Sequence, residues 1–197
     1  MSRSLILPAL ALLFFSCHGN EITNPFERCT GLGFGEAASL EGRLHTPEGA
    51  PVTGVKVTLD GNVQTDVDVN GRFAFVNTTA GLHSLSYSPA SFGLSGQLQL
   101  TKGRNVVDIV TPTNFNSGWA AGRVLDACTG RPIAGAQIGT ETSFVTTGTD
   151  GTYNKFACCN SSFGESVRAN GYAPAHYGVA RVFGRTQLMD FVLERVK

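Results

Sequence analysis

The sequence predicts an all-β fold: two tandem antiparallel β-sandwich domains behind a cleaved leader and a flexible tether. Three observations carry that expectation. Short runs of alternating apolar residues recur between clusters of Gly, Pro, Asn and Asp, the pattern of strands joined by turns. Charged residues are only 15% of the 197, glycine is frequent at 24, and Val, Thr, Phe and Tyr are plentiful, while long helical periodicity is absent. The third observation is that the pattern after about Ser39 is written twice.

The chain opens "MSRSLILPALALLFFSCHGN". One positive charge, Arg3, precedes an apolar run of roughly eleven residues, which suits a secretory signal and is too short to span a bilayer. The segment resembles the signal of a bacterial lipoprotein, in which a small residue precedes a cysteine that receives acyl chains; here Ser16 precedes Cys17. That resemblance implies removal of residues 1–16 and a membrane partner reached through acylated Cys17. Each buried methylene of such chains contributes about 0.8 kcal/mol, so more than one chain anchors stably. His18 is not the Asp that retains many Gram-negative lipoproteins at the inner membrane, so an outer-membrane address is implied for a Gram-negative host. Phe14 and Phe15 depart from the family pattern, and the rival is an ordinary signal cut after Gly19, which leaves a secreted or periplasmic protein. Residues 17–38 carry Gly, Asn and Pro without periodicity and read as a tether.

Two sandwich domains are expected at 39–113 and 118–197. "EGRLHTPEGAPVTGVKV" (Glu41 to Val57) aligns with "AGRVLDACTGRPIAGAQI" (Ala121 to Ile138), matching Gly42 with Gly122, Arg43 with Arg123, Pro51 with Pro132 and Gly54 with Gly135. Farther on, "DVNGRFAF" aligns with "GTDGTYNKF", pairing Asn70-Gly71 with Asp150-Gly151 and Phe73 with Tyr153. A turn followed by an aromatic, Phe92 or Tyr172, then closes each unit. The period of about eighty residues is a domain and not a solenoid unit. In the first copy strands run through Leu40–Leu44, Val55–Leu59, Phe73–Phe75, Leu98–Leu100 and Val106–Val110. In the second they run through Ala120–Leu125, Ala136–Ile138, Phe144–Thr147, Tyr153–Phe156, Ser166–Ala169 and Leu188–Val196.

These motifs, G-x-[VL], then G-x-P-[VI]-x-G-[VA], then [ND]-G-x-aromatic, resemble the carboxypeptidase regulatory-like domain, a seven-stranded transthyretin-like sandwich. The resemblance covers nearly all of the chain after Ser39, in two copies. It implies a non-catalytic accessory module acting in binding, spacing or envelope architecture. One alternative is a carbohydrate- or peptide-binding surface receptor; a second is a hydroxyisourate-type or ester hydrolase, a relation that folds of this kind include.

The residues bear on these readings in turn. With 15 basic and 15 acidic side chains the chain has no net charge, so no nucleic-acid footprint is expected. Asp66, Asp68, Asn70 and Gly71 have the spacing of the first half of a calcium loop, but position 12 is Asn77 and the second copy has Thr146 and Gly148 where the first has Asp66 and Asp68. "DVDVNGRFAF" therefore reads as strand, hairpin turn, strand, and neither a metal nor a cofactor is expected. His45, His83 and His176 stand in unlike contexts and no G-x-S-x-G elbow is present, so no catalytic residue is assigned. Lys56, between Val55 and Val57, points away from their face, which argues against an isopeptide crosslink. Cys29, Cys128, Cys158 and Cys159 are disulfide candidates in an exported protein, with three possible pairings, and Cys29 is placed to fasten the tether to a sandwich. Among aromatics, Tyr153 and Tyr172 occupy repeat-equivalent positions that imply core duty; Tyr177, beside His176, lacks a counterpart and is the candidate ligand surface. An envelope glycan or protein is the partner this would imply.

Overall fold

The computed structural model describes residues 34–87, 93–114, 116–140, 143–158, 163–179 and 184–196. The leader at 1–16, Cys17, Cys29, Phe92, Cys159 and Phe183 fall outside these residues, as does the side chain of Cys158. Among the described residues every regular element is a β-strand. The first copy contributes β1 (Ala37–His45), β2 (Lys56–Leu59), β3 (Val63–Asp66), β4 (Arg72–Thr79), β5 (Gly81–Tyr87), β6 (Gly93–Leu100) and β7 (Gly103–Val110). The second contributes β8 (Ser117–Asp126), β9 (Gln137–Gly139), β10 (Phe144–Thr146), β11 (Thr152–Cys158), β12 (Phe163–Arg168), β13 (Ala175–Val179), β14 (Arg185–Met189) and β15 (Phe191–Leu193).

The connectivity of the first copy recurs in the second. In the first, β4-β1-β7 form one sheet and β6-β5-β2-β3 lie side by side in another; in the second, β11 and β14 flank β8, and β10-β9-β12-β13 form a separate sheet. Period-two alternation puts Phe73 and Phe75 of β4 inside while Arg72, Ala74 and Val76 face water. Leu40 and Leu44 of β1 and Ile109 of β7 meet Val57, Leu59, Leu85 and Leu98 in one core cluster. Val124, Ile138, Tyr153, Val167, Phe191 and Leu193 form the other. Each fully buried Leu, Ile or Phe is worth about 1.5–3 kcal/mol over its exposed state.

The shared letters meet one another in space. Gly71 has φ 77° and Gly151 φ 73°, both left-handed. A Cβ on Gly71 would lie 2.3 Å from the Leu44 carbonyl oxygen, and one on Gly151 2.7 Å from Pro132 Cβ. The carbonyls of the same two glycines accept hydrogen bonds from the amides of Leu44 and Val124. The motif's glycine thus closes onto the first strand and its neighbouring proline in both copies. The turn itself corrects the hairpin expectation: β3 and β4 belong to different sheets, so Val67–Gly71 arches between layers, and Gly71 alone in it has positive φ.

The sheets do not stop at the expected boundary between 113 and 118. β14 of the second copy pairs in parallel with β6 of the first, from Arg185↔Gly93 to Met189↔Gln97, and in parallel with β8 on its other side. One eight-stranded sheet, β11-β8-β14-β6-β5-β2-β3 with β15 also on β8, therefore runs through both copies. Its two flanking strands carry glycine where β14 passes closest: a Cβ at Gly96 would lie 2.3 Å from the Leu188 carbonyl oxygen, and one at Gly122 2.0 Å from that of Met189. β8 is accordingly buried on both faces, with Ala120 and Val124 in the second core and Ala121 in the first.

A buried polar network reinforces this junction. The last strand expected at Leu188–Val196 is broken at Asp190, between β14 and β15. The Asp190 carboxylate accepts hydrogen bonds from the Arg123 guanidinium (Nη2 2.6 Å, Nε 3.3 Å), the Arg123 amide (2.9 Å) and the Gln99 amide (2.8 Å). Arg123 also donates to Asn105 Oδ1 (3.0 Å) and the Gln99 carbonyl (2.8 Å), so its charge is answered by Asp190 while two further donor contacts are made to the first copy. Side-chain exposure is only 3% for Arg123 and 4% for Asp190. The free edge of β7 is covered as well: the Asn154 carboxamide accepts from the Val110 amide (2.8 Å) and donates to the Asp108 carbonyl (3.0 Å), and the Thr186 hydroxyl donates to the Val110 carbonyl (2.6 Å).

Candidate functional site

The larger cleft, about 690 Å³, is lined by charged residues of β1, β4 and β7, the Thr65–Asp68 wall and the Asp150–Thr152 turn of the second copy. Alternation on β1 and β7 points Glu41 and Arg104 outward together, where they form a bidentate pair at 2.9 and 2.7 Å. The hydrogen bond from Arg104 holds the Glu41 carboxyl below its usual range. The carboxylates with calcium-loop spacing are engaged within the scaffold. Asp68 Oδ1 accepts the Asn70 and Arg72 amides, both at 2.8 Å, which makes it the side chain of an Asx turn. Asp66 pairs with Lys56 at 2.6 Å, with the Lys56 side chain 59% exposed as its position between two valines requires.

His45 and His83 are tied into the scaffold. His45 presents Nδ1 to the Thr46 carbonyl (2.8 Å) and Nε2 to Asp108 (3.0 Å). His83 presents Nδ1 to Asp60 (2.7 Å) and Nε2 to the Thr79 carbonyl (2.9 Å). Burial would raise the Asp60 pKa, but hydrogen bonds from His83 and the Ser84 amide outweigh it and keep that carboxyl low. Both rings thus spend their two nitrogens on fixed oxygens, an arrangement that positions loops and does not leave a base aimed at a reacting group.

His176 and Tyr177 lie on β13, an edge strand that the sequence reading did not assign. Neighbouring residues in a strand face opposite ways: His176 is exposed, and Tyr177 turns inward against Phe191, with ring centroids 4.7 Å apart. The Tyr177 hydroxyl donates to the Val192 carbonyl (2.8 Å) and accepts from the Val192 amide (3.3 Å), covering the open side of β15. Burial raises the Tyr177 pKa, with its hydrogen bond to Val192 acting the other way. One edge of the ring lines a second cleft of about 460 Å³ at the junction, with Leu82, Gly96, Gln97, Gln187 and Val192. The structure therefore separates the two candidates and gives Tyr177 a partner fifteen residues away that no local signal announces.

Cys128 is disulfide-bonded and sits in the exposed turn after β8. Asp126 organises that turn. Its carboxylate accepts the amides of Cys128 (3.0 Å) and Thr129 (2.9 Å), the Tyr172 hydroxyl (3.0 Å) and Arg195 Nε (2.7 Å). Burial by itself would raise the Asp126 pKa; the hydrogen bonds from Arg195, Thr129 and Tyr172 outweigh it and hold the carboxyl far below the usual carboxylate range. The residues that local reasoning missed are Gln99, Asn105, Asn154 and Asp190, all polar residues with at least one partner in the other copy. The match of Arg43 with Arg123 hid the most telling of them, because Arg43 is exposed and Arg123 is buried.

No protein-family model matches the chain, and no curated protein matches it. Among solved structures it is similar to the TIE protein of Bacillus anthracis at 13% identity and TM-score 0.35, covering 82% of this chain and 34% of that one. It is also similar to a streptococcal ancillary pilin (12%, TM-score 0.34, 81% and 62%) and to a minor pilin of Streptococcus agalactiae (10%, TM-score 0.30, 82% and 97%). The chain spans about a third of the first of these proteins and about three fifths of the second.

Proposed function

We propose that this protein is a non-catalytic module of the bacterial cell envelope, held to the outer membrane by lipid on Cys17, and that its task is to be a stiff two-lobed spacer. The proposal includes membership of both lobes in the carboxypeptidase regulatory-like group. The observation that carries it is the insertion of β14 between β6 and β8, which makes one sheet of two repeats. Two lobes on a free linker would reorient by default, whereas lobes sharing a hydrogen-bonded sheet and a buried ion pair transmit force and orientation as one body. The fixed hydrogen bonds of His45 and His83 support the non-catalytic part.

Two measurements test it. Calorimetry on the intact protein is expected to give one cooperative transition; two separate transitions, each about half the size, would end the stiff-spacer reading. Labelled palmitate is expected to enter wild-type protein and not Cys17→Ser, and unlabelled wild type in a lipoprotein-competent host would remove the anchor. A receptor reading draws on the 460 Å³ junction cleft with its Tyr177 edge. A glycan array with Tyr177→Ala as control tests that alternative, and absence of binding ends it.

A further inference from the structure

We propose, on the receptor reading of the junction cleft, that its ligand is an uncharged oligosaccharide and that the carboxamides of Gln97, Gln99 and Gln187 hold it. Strand register puts these side chains together. Gln97 and Gln99 are two apart on β6 and so project from one face of the shared sheet. Met189 lies beside Gln97 on β14, Gln187 precedes it by two, and Leu82 of β5 stands opposite Gln99. One strand further, the same face is the one that the second copy buries, since Gln187 is paired with Ala120 of the second core. Beyond that core the face floors the cleft of about 460 Å³, with Tyr177 and Val192 at the boundary.

The carboxamides in this cleft are largely unspent. Gln99 is only 5% exposed, and its Nε2 donates to the Leu100 carbonyl (3.3 Å), which leaves the other end of its carboxamide without a partner among the described residues. A sheltered polar atom of this kind gains free energy from any donor that reaches it. Gln97 is exposed and Gln187 half-buried, and neither side chain is hydrogen-bonded among the described residues. Each carboxamide offers donors and an acceptor together, the complement of a hydroxyl group that both gives and takes. Between them lie Leu82, 59% exposed, Met189, Val192 and one edge of the Tyr177 ring. These apolar surfaces suit the C–H faces of sugar rings.

Charge narrows the ligand class. Asp190 is the one formally charged residue in the lining, and its carboxylate is spent on Arg123 and on the Gln99 amide. An anionic or cationic ligand would leave water here without a counter-charge. Strand topology decides against an extended peptide, which adds to a sheet through an edge with free main-chain groups. In the floor β6 already has β5 and β14 as neighbours, and β14 has β6 and β8. At the wall, the Val192 amide and carbonyl are both engaged by the Tyr177 hydroxyl. Recognition is left to side chains, and these are neutral, hydrogen-bonding and apolar by turns.

The full-length protein on an array of uncharged, uronate-bearing and sulfated oligosaccharides, with extended peptides alongside, tests the assignment. Uncharged oligosaccharides alone are expected to be retained. The double variant Gln97→Ala with Gln187→Ala is expected to weaken their binding about tenfold or more, with the urea unfolding midpoint unchanged because neither side chain holds the fold together. Tyr177-dependent capture of a peptide or a charged sugar overturns the assignment and leaves the receptor reading standing. Uncharged sugars bound as tightly by the double variant as by wild type overturn it too. An array without binding ends both, while the calorimetric test of the stiff spacer is decided separately.

Discussion

Replacing Asp190 with alanine strikes the junction at its most connected atom pair. The side chain removed receives four hydrogen bonds, two from the Arg123 guanidinium and one each from the amides of Arg123 and Gln99. What remains is a guanidinium 3% exposed with no counter-charge, together with two amides that have lost their acceptor. Breaking a buried pair from one side costs about 3–5 kcal/mol, a large share of the 5–15 kcal/mol that a domain of ordinary stability has in total. The pair's net contribution is smaller than this cost, since both charges had to leave water. The double variant Arg123→Met with Asp190→Asn is therefore expected to be more stable than Asp190→Ala, because it strands no charge and its amide oxygen still accepts a main-chain hydrogen bond. The assay is urea unfolding followed by the fluorescence of Trp119, the single tryptophan, which lies on β8 inside the shared sheet with its ring 5.5 Å from Phe156. A loss below about 1 kcal/mol for Asp190→Ala would be the behaviour of a solvent-exposed pair and would refute the account of the junction.

Gly96→Val places a side chain where a Cβ alone comes 2.3 Å from the Leu188 carbonyl; a loss of about 1–3 kcal/mol and a split of the single calorimetric transition are expected. Asn154→Ala uncovers the edge of β7 and should speed hydrogen exchange at the Val110 amide, with a cost of about 1–3 kcal/mol measured by the same unfolding assay. For pH, the sign follows from Asp126: its folded pKa lies below the unfolded value of about 3.9, so its contribution is complete above that pH and is lost as pH falls through the acid range. Asp126→Asn is accordingly expected to flatten the decline in stability below about pH 4, and an unchanged acid limb would contradict the clamp on Arg195 and Tyr172. Tyr177→Phe should cost about 1 kcal/mol through the lost cover on Val192 while keeping the ring against Phe191.

The sequence by itself determined most of the strands, the places where the chain turns and the duplication, because these are short-range facts. Alternation reports which side chains of a strand leave water, and a glycine beside Asn or Asp reports where the backbone must turn left-handed; both are written within a few residues. That is why Phe73, Phe75, Gly71 and Gly151 could be placed before any coordinates. Only the tertiary structure decided what covers each buried face. Arg43 and Arg123 stand at equivalent places in one motif, yet one meets solvent and the other is sealed against Asn105, Gln99 and Asp190. The bond from the Gln99 amide to Asp190 spans 91 residues, and the choice of β6 as the neighbour of β14 turns on Gly96, whose missing side chain leaves no periodic trace. Tyr177 shows the same limit at the candidate site, since no local signal announces that its hydroxyl meets Val192. Burial periodicity is a property of one strand, whereas partner choice is a property of two surfaces far apart in the chain, and only folding brings them together.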